Sequence, residues 1–180
     1  MRDIAYCKTS EINHCPMMHP DLQLANNLIY KKLNLVLNNF ILESESEDYS
    51  AATFTLNYHR ILFRISKITP TKTGQFVTLW KRINNGPIQP FDLSDPIDFI
   101  IIGVRSQEKI GQFIFPKEIL IKKTIFSKNN IGGKRAIRVY APWDAANSKQ
   151  ALATKKWQSQ YFVCFNSTEV ELKKVCCLLS

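Results

Sequence analysis

Lysine and arginine residues stand close to aromatic residues in three segments of the chain. These segments cover residues 64–80, 111–118 and 133–162. Ammonium and guanidinium groups pair with phosphates, and aromatic rings offer flat surfaces on which unpaired bases stack, contributing about 1–3 kcal/mol per base. The combination predicts a nucleic-acid ligand, and it favours single strands or RNA over a duplex read in its major groove.

Nine residues are the candidates for contacts with a nucleic acid. The cations expected to bind phosphates are Arg64, Lys67, Lys72, Arg135, Arg138, Lys149 and Lys155. Tyr140 and Trp143 are the candidates for base stacking. Because stacking tolerates any base, we expect binding that is largely independent of sequence. The alternatives for the same residues are solvated surface charge and, for the tryptophans, packing in the core.

The positive charge is concentrated in the last third of the chain. The net charge is +9, and residues 117–180 account for +8 of it, with 12 basic and 4 acidic side chains. Residues 1–116 are nearly balanced, with 12 basic and 11 acidic side chains. A concentrated positive field attracts a phosphate-rich partner, so the charge distribution also indicates nucleic acid.

Length and composition indicate one soluble, intracellular domain in the cytoplasm. The chain has 180 residues, of which 45% are hydrophobic, and no apolar run reaches the roughly 18 residues of a membrane span. The first residues carry no secretion signal, and the five cysteines form no Cys-x-x-Cys pair, which suits a reducing compartment. Four possible metal ligands, Cys7, His14, Cys15 and His19, have a spacing that matches no familiar zinc pattern, so we expect no cofactor there.

The predicted elements alternate between helices and strands and give an α+β fold. Helical spacing of apolar residues predicts a helix over residues 20–40, and Ser148 or Asn147 caps a second helix over 148–159. Strands are predicted over 52–56, 60–68, 75–80, 99–104, 112–115, 134–141 and 161–165. The organisation expected is a loose lead-in over residues 1–19, one folded domain over 20–166 and a polar tail over 167–180.

Three stretches of the chain together resemble the MepB-like family over residues 52–162. They are the run from Lys67 to Lys72, the Phe-Pro-Lys-Glu block at 115–118, and the tryptophan-containing run that ends at Tyr161 and Phe162. The resemblance implies a fold similar to that of PD-(D/E)xK nucleases, a restriction-endonuclease-like single domain with a mixed sheet flanked by helices.

The nuclease active site that this fold can carry is incomplete in the sequence. Such a site needs an Asp on one strand and an acidic-x-Lys pair on the next, converging on Mg²⁺. Asp98 stands at the start of the predicted central strand, but residues 112–117 of the following strand contain no acidic residue. We therefore expect binding without catalysis. The alternative is a Mg²⁺-dependent nuclease that uses Asp98 as the metal ligand together with Glu118 and Lys117.

The last four residues suggest a different kind of protein. Cys177 is followed by two leucines and a serine, a pattern that directs farnesylation of the cysteine, and Cys176 offers a second acylation site. Two lipid signals can hold a protein on a membrane. The second alternative is thus a prenylated, membrane-tethered interaction protein, delivered into a eukaryotic cell that holds the transferase. Without modification, the tail is expected to be frayed.

Overall fold

A six-stranded mixed sheet forms the centre of the computed structural model, which describes residues 18–165 and 168–179. The strands of the described chain are β1 (Leu37–Leu42), β2 (Ala52–Leu56), β3 (His59–Ile65), β4 (Lys67–Thr69), β5 (Lys72–Thr78), β6 (Trp80–Arg82), β7 (Ile88–Pro90), β8 (Phe99–Ser106), β9 (Lys109–Pro116), β10 (Ala136–Val139) and β11 (Phe162–Cys164). The large sheet has the order β1-β2-β3-β8-β9-β11, and only its β3–β8 pair is parallel. The predicted α+β fold with a mixed sheet and flanking helices is confirmed.

Four α-helices lie in the described chain. They are α1 (Pro20–Ala25), α2 (Lys117–Lys122), α3 (Lys149–Gln158) and α4 (Glu169–Leu178). None of the helices within residues 18–165 and 168–179 has the length and apolar composition that crossing a membrane requires. The cap at Ser148 is confirmed, since its hydroxyl oxygen accepts a hydrogen bond from the Ala151 N–H at 3.1 Å.

The first helical segment is shorter than the sequence predicted. It continues from α1 through Asn26–Tyr30 and Lys31–Leu33, and ends where Asn34 adopts a left-handed backbone with φ of 55°. Residues 37–42, which also fit the helical spacing, instead form the edge strand β1 against β2. The prediction of a helix over 20–40 is therefore wrong beyond Leu33. An irregularity between Asn38 and Ile41, with Asn39 at a φ of 52°, lets Leu37 and Phe40 pack on the same core although they are three residues apart.

Two hydrophobic cores cover the two faces of the large sheet. On one face, apolar side chains of the sheet pack against the first helical segment and α4. On the other face, they pack against a three-stranded sheet of order β10-β5-β4 and against residues that follow β7 and α2. Strand β8 contributes to both cores, and its first six residues are buried. A strand covered on both faces reads as one apolar run, which is why the sequence identified it.

Helix α4 closes one of these cores at a place where the sequence predicted a tail. Val175 and Leu179 are buried there, at 0% and 7% exposure. The His59 ring makes a 2.9 Å hydrogen bond to the Leu179 carbonyl oxygen and packs edge-on against Phe99. The residues before Ser180 are thus held on the sheet by both packing and a hydrogen bond.

The open edge of β10 is closed by a side chain instead of another strand. The Gln158 amide oxygen accepts the Tyr140 N–H, and its amide nitrogen donates to the Arg138 carbonyl, both at 2.9 Å. Gln158 is 1% exposed and stands at the end of α3. Its amide therefore takes the place of a neighbouring strand and fixes α3 against β10.

We predict that Gln158→Ala lowers the free energy of unfolding by about 2–4 kcal/mol, because two backbone groups lose their partner in a buried position. Urea denaturation monitored by circular dichroism measures this loss. Gln160→Ala, an exposed neighbour, is the matched control and is expected to change stability by less than about 0.5 kcal/mol. Equal stabilities of the two variants would contradict the bridging role of Gln158.

Asp92 connects the loop that follows β7 to the loop between α2 and β10. Its carboxylate accepts hydrogen bonds from the Asn130 N–H at 2.9 Å, the Ser127 hydroxyl at 2.7 Å and the Ser94 N–H at 3.0 Å. These donors, the Asn130 N–H first, hold the pKa of Asp92 well below its ordinary value of 3.8. The ionised form is thus the one that the fold stabilises.

This direction of the Asp92 pKa predicts an acid-sensitive contribution to stability. The contribution is complete above the ordinary pKa of 3.8 and is lost as the pH falls through the lower pKa of the folded protein. We expect the free energy of unfolding to fall less steeply below about pH 4 in Asp92→Asn than in the wild type. Denaturant titrations at a series of pH values test this, with the exposed Asp48→Asn as the control.

Candidate nucleic-acid interface

A basic cleft of ≈ 470 Å³ lies between β10 and α3. Four of its lining residues are cations: Lys72, Lys123, Lys134 and Arg138. No lining residue among those that the structure describes carries a carboxylate. The cleft therefore presents positive charge without a built-in counter-charge, which is the arrangement that attracts a polyanion.

The alternation of β10 sets one wall of the cleft. Ile137 and Val139 point into the core between the two sheets, so Ala136, Arg138 and Tyr140 point the other way and line the cleft. The opposite wall is α3, which contributes hydroxyl, amide and indole side chains. These are Ser148, Gln150, Thr154 and Trp157.

Two aromatic side chains form firm parts of the lining. Trp157 is half-buried, with its ring centroid 5.3 Å from that of Phe115, and Lys123 Nζ lies 5.4 Å from the Trp157 ring. Tyr140 packs so closely over Gly74 that a Cβ atom there would come within 2.6 Å of its ring. Gly74 also has a φ of +73°, so this position requires glycine for both space and backbone conformation. Both rings are held in place before any ligand arrives.

Arg138 is fixed by the turn that joins β4 and β5. Its guanidinium donates to Thr69 Oγ1 at 2.7 Å and to the Gly74 carbonyl at 3.0 Å, with longer bonds to the carbonyls of Lys72 and Thr73. Its central carbon lies 5.7 Å from the Phe76 ring centroid. Because most of its donors are already used, Arg138 contributes charge and a flat surface to the cleft more than new hydrogen bonds.

The structure brings part of the predicted site together. Lys72, Arg138 and Tyr140 all line the cleft. Lys149 is exposed as the first residue of α3, and Arg135 is exposed immediately before β10. Lys149 and Arg135 therefore lie beside the cleft and are not part of its lining.

Three predicted contacts have structural partners instead. Arg64 is 1% exposed; it donates to Glu43 at 2.6 Å and to the Phe63 carbonyl at 2.8 Å, and burial lowers its pKa. Lys155 Nζ donates to the carbonyls of Pro142 and Asp144, at 2.9 Å and 2.7 Å.

Trp143 is the third of these residues and does not line the cleft. It is half-buried, and its ring meets that of Phe162 edge-on with centroids 5.4 Å apart. This is the core packing that was the alternative for the tryptophans. Lys67, by contrast, is exposed and lies on β4, the edge strand of the three-stranded sheet opposite β10, beside Asp48 and Tyr49.

Sequence reasoning did not select Lys123, Lys134 and Trp157 for the site. Lys134 and Trp157 stand within the basic and aromatic run over 133–162, so composition alone could have found them. Lys123 follows α2 and belongs to none of the three segments. Only the tertiary contact with Trp157 reveals that it faces the cleft.

The residues of the alternative nuclease site have other partners. The Asp98 carboxylate accepts from the Arg60 N–H at 2.8 Å and from its guanidinium at 3.2 Å and 3.1 Å. The hydrogen bond to the Arg60 side chain is the main reason that the pKa of Asp98 is lowered. Lys117 Nζ donates to the carbonyls of Leu93 and Asp95, and Glu118 is exposed on α2.

The predicted lipidation cysteines and one of the four possible metal ligands, His19, lie within the described residues. Within residues 18–165 and 168–179, no three side chains of His, Cys, Asp or Glu are grouped so that they could hold a metal ion. His19 accepts a hydrogen bond from the Asp21 N–H, while Cys7, His14 and Cys15 lie outside the described residues. Cys176 and Cys177 are exposed on α4.

Comparisons with known proteins give a consistent family match. The MepB-like family model matches residues 43–164. A crystal structure of MepB is 34% identical over 83% of this chain and 99% of that chain, with a TM-score of 0.71. The structure of a bacterial homing endonuclease is a distant likeness, at 12% identity over 88% of this chain and 92% of that chain, with a TM-score of 0.43. No curated protein matches this chain.

Replacing two of the lysines predicted to bind phosphates should have different effects on the free energy of unfolding. Lys155→Ala should lower the free energy of unfolding by about 1 kcal/mol, because its ammonium group holds two backbone carbonyls before α3. Lys149→Ala should leave stability unchanged, because Lys149 makes no side-chain hydrogen bond or ion pair within the described residues. Thermal unfolding of the two variants measures the difference, and equal stability would contradict a structural role for Lys155.

Proposed function

The chain belongs to the MepB-like family, and we propose that it binds nucleic acid through the basic cleft between β10 and α3. The proposed ligand is single-stranded DNA or RNA, bound largely without regard to sequence and without catalysis. The observation that carries this proposal is the charge of the cleft. Its four cations have no carboxylate beside them in the lining that the structure describes.

The electrostatics of the cleft support a polyanionic ligand. Cations of one sign gathered in a concave surface repel one another, and a phosphate backbone relieves this repulsion while it releases its own counterions. The rest of the basic C-terminal third adds to the field, since residues 117–180 carry a net charge of +8. A small neutral ligand would gain nothing from this arrangement.

The preference for a single strand is supported by the aromatic lining. Trp157 and Tyr140 line the cleft, and Trp157 is half-buried whereas Tyr140 is 8% exposed. Trp157 therefore offers the larger surface to a base that has left its stack. Bases of an intact duplex present their edges in the grooves and keep their faces covered. Since every base has a face that can stack, these contacts provide affinity without selecting a sequence.

The two alternative functions lack a comparable supporting observation. Cleavage through Asp98, Glu118 and Lys117 with Mg²⁺ requires Asp98 to leave Arg60 and needs further ligands near it. Membrane attachment through Cys177 requires a transferase to bind the last four residues. Because Leu179 is buried, the end of α4 would have to leave the core first. In the binding experiment, the nuclease would cleave the strands in the presence of Mg²⁺, and the membrane-tethered protein would bind none of the oligonucleotides.

The test is fluorescence anisotropy with labelled single-stranded RNA, single-stranded DNA and duplex DNA over a salt series that contains Mg²⁺. The wild type should bind the single strands more tightly than the duplex and leave them intact. In Lys123→Ala/Lys134→Ala, we expect a loss of affinity of about tenfold or more at low salt. The slope of log affinity against log salt concentration should fall by about 0.7 for each lost phosphate contact.

The matched control is Lys32→Ala/Lys109→Ala, which removes the same charge from exposed positions outside the cleft. If both double variants lose affinity equally, net charge and not the cleft governs binding. If the wild type binds none of the three nucleic acids at low salt, the proposed function is wrong.

A further inference from the structure

The outer face of the three-stranded sheet carries a row of cation, aromatic ring and cation. Lys67 on β4, Phe76 on β5 and Arg138 on β10 are direct neighbours across the three strands. The Phe76 ring is half-exposed, because its neighbours Gln75 and Val77 are the ones that point into the protein. Arg138 also lines the cleft, so this row continues the cleft onto the sheet.

An acidic loop covers the far end of this row. Residues 43–48 contain three glutamates and one aspartate and connect β1 to β2. Asp48 pairs with Lys67 at 3.7 Å, and Glu45 pairs with Arg82 at 2.8 Å. The Thr78 hydroxyl donates to Ser46 Oγ at 3.2 Å, which holds the middle of the loop on β5.

The loop also brings an aromatic ring next to Phe76. The centroids of Tyr49 and Phe76 are 6.2 Å apart, and Lys67 Nζ lies 4.9 Å from the Tyr49 ring. The two rings meet edge to face. Carboxylates that pair with cations beside aromatic rings occupy the positions that the phosphates of a bound strand would take. The loop carboxylates thus take the place of phosphates, and the Tyr49 ring takes the place of a base.

The contacts of the acidic loop differ in how easily they break. Glu43 binds the buried guanidinium of Arg64 and anchors one end of the loop. The Asp48–Lys67 pair is exposed, with 87% and 44% of the two side chains accessible, and exposed ion pairs of this kind are weak. A polyanion can therefore displace the Asp48 end while the Glu43 end stays in place.

We propose that the row Lys67–Phe76–Arg138 is a second binding surface for a single-stranded nucleic acid, and that the acidic loop (residues 43–48) occupies its Lys67 end in the absence of ligand. This inference rests on the proposed function, since it extends the strand bound in the cleft across the outer face of the sheet. Bases stack on Phe76, and phosphates replace the loop carboxylates at Lys67 and Arg82. The loop lowers the affinity of the resting protein.

The test uses a labelled single-stranded RNA of about 12 nucleotides, a length within the usual range of site sizes of roughly 4–16 nucleotides. Phe76→Leu should raise the Kd at least about fivefold, which corresponds to the loss of one stacked base, without changing the salt dependence. Phe40→Leu is the control, because Phe40 is a half-buried aromatic residue of β1 that packs near Phe54, away from this row.

The acidic loop is tested separately by removing its charge. Glu45→Gln/Asp48→Asn should lower the Kd at least about threefold more than Glu108→Gln/Glu169→Gln, which makes the same change of net charge at exposed positions elsewhere. This pair also keeps the proposal testable if Phe76→Leu does not fold, which circular dichroism would reveal.

The outcomes separate this inference from the proposed function. If the wild type binds and the cleft variant does not, while both the Phe76 and the loop variants behave as their controls, the cleft is the whole site and the second surface is overturned. Tighter binding by the loop variant, together with weaker binding by Phe76→Leu, supports the second surface. No binding by the wild type overturns both proposals.

Discussion

The side-chain amide of Gln158 joins the two walls of the cleft. It stands at the end of α3 and forms the hydrogen bonds that a neighbouring strand would otherwise give to β10. Because β10 is then held on both sides, its alternation is fixed, with Ile137 and Val139 in the core and Arg138 and Tyr140 in the cleft. The position of Trp157, one residue before Gln158, follows from the same contact. The hydrogen bonds of the buried Gln158 amide to β10 therefore fix which side chains line the cleft.

Elements with a local sequence pattern were predicted well. Strand β8 is an apolar run, the β2–β3 hairpin has Asn57 at a left-handed turn position, and α3 has Ser148 as its cap. The first helix was predicted too long because residues 37–40 satisfy helical spacing but belong to β1, the edge strand that pairs with β2. Helix α4 was not predicted, since its packing depends on a sheet that is distant in sequence. Local patterns define elements, whereas their lengths depend on tertiary partners.

The candidate site was predicted from composition, and its errors arise from tertiary contacts that composition does not reveal. Arg64 lies on the face of β3 opposite Ile61 and Phe63 and was predicted to bind phosphates. A second sheet and the acidic loop cover that face, so Arg64 is buried against Glu43. Lys155 likewise fits the basic run but holds two carbonyls. Sequence gives the charge of a segment, while tertiary contacts decide which of its charged groups are available to a ligand.

One face of the large sheet is incompletely covered until α4 has been synthesised. All strands of the sheet precede α4 in the chain, yet Val175 and Leu179 complete the core on one of its faces. That face stays partly open on the ribosome until α4 has emerged, although the strands can already pair. Exposed apolar surface on a paired sheet favours aggregation, and chaperones counter aggregation of this kind. The apolar face of the sheet is therefore fully covered only after α4 has packed on it.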